Sequence, residues 1–238
     1  MKLQEVCKKI PVHIPYTLIS LGLWLIYSGS FFLFRGMEPV WEVVVPLDHA
    51  IPYCEWFVIP YVMWYAFFFG TALFFVHIAK KYPTARRECV QFMMYAFGGC
   101  LVASVFYIAL PTVFPLRPDL LGETMDTSRP LTALVTLLWD NDPGARNVFP
   151  STHCQAQFCC AVALMRSAFI SKKTKRWLVP CIGVLTLAVV LSTLFIRQHS
   201  ILDALGAAVI AVVLYYISYK INWRFLPSAE IAAREDGN

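Results

Sequence analysis

Long apolar runs alternate with short charged stretches along most of this chain. Six of the runs approach the roughly 20 residues that a helix needs to cross a hydrocarbon core. They fall at Ile14–Phe34, Pro52–Ala79, Val90–Pro111, Pro150–Ile170, Trp177–Ile196 and Ile201–Ile221. Between them lie a segment from Gly36 to Ile51, which holds Glu38, Glu42 and Asp48 and reads as a loop or interfacial piece, and the longest non-apolar region, Thr112 to Val148. A loop that long is usually functional or disordered. The pattern predicts an all-α polytopic membrane protein with six transmembrane helices, built as one domain over residues 1–238. Aromatic residues crowd the start of the second run (Tyr53, Trp56, Phe57, Tyr61, Trp64, Tyr65), as expected where rings sit at headgroup level.

Composition agrees. The chain is 58% hydrophobic and 15% charged, with a mean hydropathy of +0.60, whereas soluble domains carry about 25% charged residues. A basic start (Lys2, Lys8, Lys9) precedes the first run, which is too long for the core of a signal peptide and lacks a small-residue cleavage site, so it is expected to be an anchor. The eight cysteines form no secreted disulfide pattern. Most lie inside apolar runs, and only Cys54 and Cys154 fall near one predicted surface. Gly98-Gly99 marks a place for close helix packing.

Charge sets the expected orientation, because lysine and arginine concentrate on cytoplasmic segments. With both termini inside, 15 of the 20 Lys and Arg are cytoplasmic, including every lysine. The remaining five, Arg35, Arg117, Arg129, Arg146 and Arg197, are extracytoplasmic. That asymmetry accounts for the net charge of +5 better than nucleic-acid binding does, since no basic stripe with interleaved aromatics is present. The starts of spans four and six then share the extracytoplasmic face of the cell membrane.

Those two starts carry the candidate chemistry. Phe149-Pro150-Ser151-Thr152-His153 opens span four. Proline favours the first helical position, and a helix N-terminus beside hydroxyl groups is a ready anion site. The same residues also read as a capped helix with a surface histidine. Arg197-Gln198-His199-Ser200-Ile201-Leu202-Asp203 opens span six. His199 and Asp203 are four apart and share a helix face, so the carboxylate can fix the imidazole tautomer and leave the other nitrogen as a nucleophile. Arg117, Arg129, Arg146 and Arg197 could clamp a phosphate with their planar forks; Arg197, close to His199, and Arg117 are the leading pair. The set suits phosphoryl transfer through a phosphohistidine: His199 attacks, Asp203 orients it, and His153 protonates the leaving oxygen and then activates the acceptor. Ser151, Thr152, Arg117 and Arg197 are the expected phosphate-binding groups. An anion-binding or transport protein, or a metal site using His153, His199 and Asp203, are other uses of the same residues. No cofactor or metal is expected, and oligomeric state is not legible.

On these motifs, which lie within residues 111–205, the chain resembles the type 2 phosphatidic acid phosphatase superfamily, which also holds the vanadium haloperoxidases. Pro150-Ser151-Thr152-His153 matches its second motif, and His199 to Asp203 matches the end of its third. The resemblance implies a lipid-phosphate phosphatase with His199 as nucleophile, Asp203 as its support and His153 as leaving-group acid. Two features depart from the pattern. Thr193 stands where the third motif has arginine, and Leu110 stands where the first motif has a lysine ahead of Arg117-Pro118. The looser pattern Asn147-x-Phe149-Pro150-Ser151-x-His153 is similar to the inositol phosphorylceramide synthase branch, which implies an alternative phosphotransferase activity that passes a headgroup to an alcohol.

Overall fold

The computed structural model describes residues 13–223, apart from the side chains of residues 13–17 and 20. The basic start at Lys2, Lys8 and Lys9, together with Cys7, Arg224 and Arg234, lies outside them. Among the described residues seven helices follow in order: α1 (His13–Phe34), α2 (Val58–Lys81), α3 (Arg86–Ala109), α4 (Pro130–Asn141), α5 (Thr152–Arg166), α6 (Lys172–Phe195) and α7 (Ile201–Tyr219). Two short strands, β1 (Trp41–Glu42) and β2 (Thr112–Val113), pair in parallel, and Val113 bridges antiparallel to Arg146.

Helices α2, α3, α6 and α7, the first two with the short turns that lead into them, are long and apolar enough to cross a membrane. Helix α1 has 22 residues and is apolar over 21–34. The outward faces of the bundle carry Leu33, Leu73, Val184 and Val209, each more than 60% exposed. Water would make such a surface costly, whereas acyl chains would not.

Helix α5 is the central element, packed against α2, α3, α6 and α7. It has 15 residues, about 22 Å at 1.5 Å per residue, which is shorter than the run up to Ile170 expected from sequence. Its interior position explains why it is less apolar than the others, since neighbouring helices supply partners for polar groups on every side. Gln157 donates to Thr186 Oγ1 of α6 at 3.0 Å, and Gln155 donates to the Tyr95 carbonyl of α3 at 3.4 Å. Gly99 makes room for that contact: a Cβ there would lie 1.8 Å from Gln155 Nε2. The apolar core around α5 includes Phe68, Phe75, Phe92 and Phe97.

The region between α3 and α5 is not a continuous loop. Pro130 sits at the start of α4, and Leu131, Leu134, Val135 and Leu138 face the cluster of Val58, Tyr61, Trp139 and Ile196. The expected apolar runs are nearly matched elsewhere: α3 begins at Arg86 rather than Val90, and α6 at Lys172 rather than Trp177.

The molecule has two distinct ends. At one, the turn at Tyr82, the α5–α6 connection and the end of α7 meet: Tyr82 stacks on Phe169, Glu88 accepts from the Ala168 N–H, and Arg166 bonds the Tyr215 hydroxyl. Lys80, Lys81, Lys172, Lys173, Lys175 and Arg176 belong to this end. At the other, residues 36–57, 110–151 and 196–200 interlock, and the candidate chemistry lies here.

Candidate active site

Two helix starts build the site. Ser151, not Pro150, caps α5: its hydroxyl accepts from the Cys154 N–H at 3.3 Å, so helical geometry begins at Thr152 and His153 falls in the first turn. Pro150 therefore stands just before the cap instead of at the first helical position expected from sequence. Ser200 caps α7 in the same way, and Asp203 completes a capping box by accepting from the Ser200 N–H at 2.9 Å. The two starts are joined directly, with the Ser151 N–H donating to the Asp203 carbonyl at 3.2 Å.

This junction brings the two imidazoles together. The His153 and His199 ring centroids are 5.9 Å apart. His199 Nδ1 lies 3.1 Å from Asp203 Oδ2. A buried carboxylate on Nδ1 favours the Nδ1–H tautomer and leaves Nε2 with its lone pair free. Asp203 is fully buried. His153 is held by ring packing instead: Tyr61 stacks on it at 4.5 Å, Trp64 lies at 4.5 Å, and neither ring nitrogen has a hydrogen-bond partner.

Both histidines line a cavity of about 220 Å³. Its polar side is completed by Thr152, Gln198, Asn147, Asp142 and Arg146. Its apolar side comes from α1 and α2, chiefly Trp24, Tyr27, Phe31, Tyr61 and Trp64. Thr152 Oγ1 bonds the Tyr27 hydroxyl at 2.7 Å. Asn147 Nδ2 and Asp142 Oδ1 are buried without partners, groups that a polar ligand could satisfy. The loop that presents Arg146 and Asn147 is conformationally demanding, with Gly144, Ala145 and Asn147 all in the left-handed region (φ 82°, 46° and 56°). Strained backbone of this kind clusters at functional sites.

The other residues expected at the site are placed differently. Ser151 is fully buried and its hydroxyl is committed to the cap, so of the two hydroxyl residues only Thr152 lines the cavity. Arg117 is also fully buried. It forks onto Asp119 (2.7 and 2.8 Å) and donates to the Asp142 carbonyl at 2.8 Å, below the cavity wall rather than in it. Arg197 donates to the backbone carbonyls of Asp48 and Ile51 and does not line the cavity. Burial lowers its pKa. Arg129 pairs with Glu55 at the rim of α4. Arg146, the fourth arginine of the set, is the one that reaches the cavity. Cys54 and Cys154 are both free. Among the described residues no group of three or more His, Cys, Asp or Glu side chains is arranged to hold a metal ion.

Asp142 was not legible as a site residue. It ends α4, and no local motif marks it. Burial pushes its carboxyl up to about 6, against the pull of Arg117 and His199.

Apolar helices of membrane-crossing length around a pocket with two facing histidines define a helical membrane protein with a candidate phosphoryl-transfer site. The sequence pattern of the PAP2 superfamily matches residues 92–227, from the second turn of α3 past the end of α7, and the chain belongs to that superfamily. No curated protein and no solved structure matches the chain.

Proposed function

We propose that this protein is an integral membrane enzyme that hydrolyses a lipid phosphomonoester or diphosphate through a phosphohistidine. The observation that carries this reading is the 5.9 Å approach of the His153 and His199 rings in one cavity, with Asp203 on Nδ1 of His199.

In this mechanism His199 Nε2 attacks phosphorus as the bond to the lipid oxygen breaks. Protonated His153 gives that oxygen its proton, and the lipid alcohol departs. Asp203 stabilises the positive charge that develops on the His199 ring. His153, now neutral, takes a proton from water as the water oxygen attacks phosphorus. The N–P bond breaks and inorganic phosphate leaves. Arg146, Asn147 and Thr152 line the cavity and bear the charge of the phosphoryl oxygens. The apolar wall from α1 and α2 accepts the lipid. Helices α1 and α5 complete six crossings, both termini are cytoplasmic, and the site faces outward, because the lysine-bearing end lies opposite the histidines.

A second reading draws on the cavity's charge. Among the described residues Arg146 is the single arginine or lysine that lines it, and Asp142 adds a carboxyl. That balance suits a singly charged phosphodiester, which would make the protein a phosphotransferase passing a headgroup to an alcohol, as in the inositol phosphorylceramide synthase branch. Purified protein incubated with phosphatidic acid, a prenyl diphosphate, and a phosphodiester lipid plus inositol distinguishes the two. Free phosphate supports hydrolysis and a new phosphodiester supports transfer. Full turnover by a His199→Ala protein sinks both.

A further inference from the structure

The segment Val45–Ile51 belongs to no motif, yet it is bound to the start of α7 by more polar contacts than any other loop makes there. Asp48, in the 3-10 turn Pro46–Ala50, is 1% exposed. Its carboxylate accepts from Ser200 Oγ at 2.6 Å, from the Ile201 N–H at 3.0 Å and from the Val45 N–H at 2.8 Å. Ser200 immediately follows His199, and its own N–H is held by Asp203. Two carboxylates thus divide the first turn of α7 between them: Asp203 holds the His199 ring and the Ser200 N–H, and Asp48 holds the Ser200 hydroxyl and the next N–H. Both sit at the positive end of the helix dipole, where a carboxylate is stabilising.

Arg197 closes the arrangement from the other side. It adopts φ 56° at the end of α6, a position where glycine is usual. Its guanidinium donates to the Asp48 and Ile51 carbonyls. A non-glycine residue keeps that conformation only where its surroundings fix it, and here the side chain is tied to the same turn that carries Asp48.

We infer that Asp48 is a positioning residue for His199: through Ser200 and the Ile201 N–H it fixes the first turn of α7, and with it the direction of His199 Nε2 toward phosphorus. Asp48 is absent from the cavity lining and touches no substrate. Its removal therefore changes the alignment of attack and leaves binding alone. The inference rests on the phosphohistidine reading.

The test uses the full-length protein in detergent micelles and the lipid of the panel above that wild type turns over fastest. Misalignment on the scale of an ångström costs roughly a hundredfold, so Asp48→Asn is expected to lower kcat about ten- to a hundredfold with KM within about twofold of wild type. Ser200→Ala is expected to show the same split. Ser200→Thr keeps the hydroxyl and is expected to keep kcat. The double variant Asp48→Asn, Ser200→Ala should be little worse than Asp48→Asn alone, since both changes disrupt the same Asp48–Ser200 contact. Wild-type kcat in Asp48→Asn, a rise in KM that accounts for the loss, or equal damage from Ser200→Thr and Ser200→Ala would overturn the inference. If His199→Ala is dead while Asp48→Asn is fully active, the positioning role fails and the chemistry stands; if His199→Ala is active, the chemistry itself fails.

Discussion

Removing the His199 imidazole deletes the proposed nucleophile, so His199→Ala is expected to abolish measurable turnover, read as phosphate release from the purified protein. His153→Ala leaves the nucleophile and removes only proton transfer, which contributes about 10²- to 10⁴-fold. Its loss should be smallest on substrates whose leaving group needs no proton, and an equal loss on aryl and alkyl phosphates would contradict its role as an acid. The arginines separate by parameter. An arginine that binds phosphate raises KM when lost, whereas Arg117, fully buried between Asp119 and Asp142, should act on the fold. Arg117→Met removes a fully buried cation from the half-buried Asp142 and is expected to destabilise the protein by roughly 3 kcal/mol, seen as a lowered thermal midpoint. Asp142 itself gives a pH signature. Its folded pKa of about 6 lies above the ordinary 3.8, so the neutral carboxyl favours the folded state. That contribution is complete below pH 3.8 and is lost as pH rises through 6. Asp142→Asn should flatten the fall in thermal midpoint between those values; an unchanged slope would contradict the burial argument.

At the scale of elements, the apolar runs and the two motif starts were legible because each is local: a run has a length, and a cap has a spacing. His199 and Asp203 can be paired from a separation of four residues, but their meeting with His153 rests on topology, because nothing in the 46-position spacing of the histidines requires it. Helix α4 was missed because it lies in a stretch with arginines and acidic residues and is only 12 residues long, so its apolar stripe of Leu131, Leu134, Val135 and Leu138 did not register as a run. The central position of α5 was also hidden, since its glutamines make it look less like a spanning helix than it would in lipid contact. Its fit against α3 depends on Gly99. A Cβ there meets Gln155, itself held by Tyr95 and Cys159, and overpacking of this kind costs about 1–3 kcal/mol. Gly99→Ala should therefore lower the thermal midpoint, and adding Gln155→Ala should restore part of the loss. Additive damage in the double variant would mean that the two residues do not compete for the same space.

For the whole molecule, the fold makes the charge argument testable as a property of its ends. Local sequence could count basic residues in each connection but could not show that Lys80, Lys172 and their neighbours gather at one end of the bundle while His153, His199, Arg117 and Arg146 gather at the other. Because the turn at Tyr82 packs on Phe169 and the 36–51 segment packs on α7, the two ends cannot be exchanged piecemeal; the molecule is inserted one way or the other. The excess of lysine at the first end is the basis for proposing that this end lies in the cytoplasm. In a background freed of native cysteines, Glu123→Cys at the histidine end is expected to react with a membrane-impermeant maleimide in intact cells, and Lys173→Cys only after permeabilisation. Both positions are exposed, so accessibility within the fold does not limit either reaction. The reverse labelling pattern would put the site inside the cell, and with it a substrate drawn from the inner leaflet.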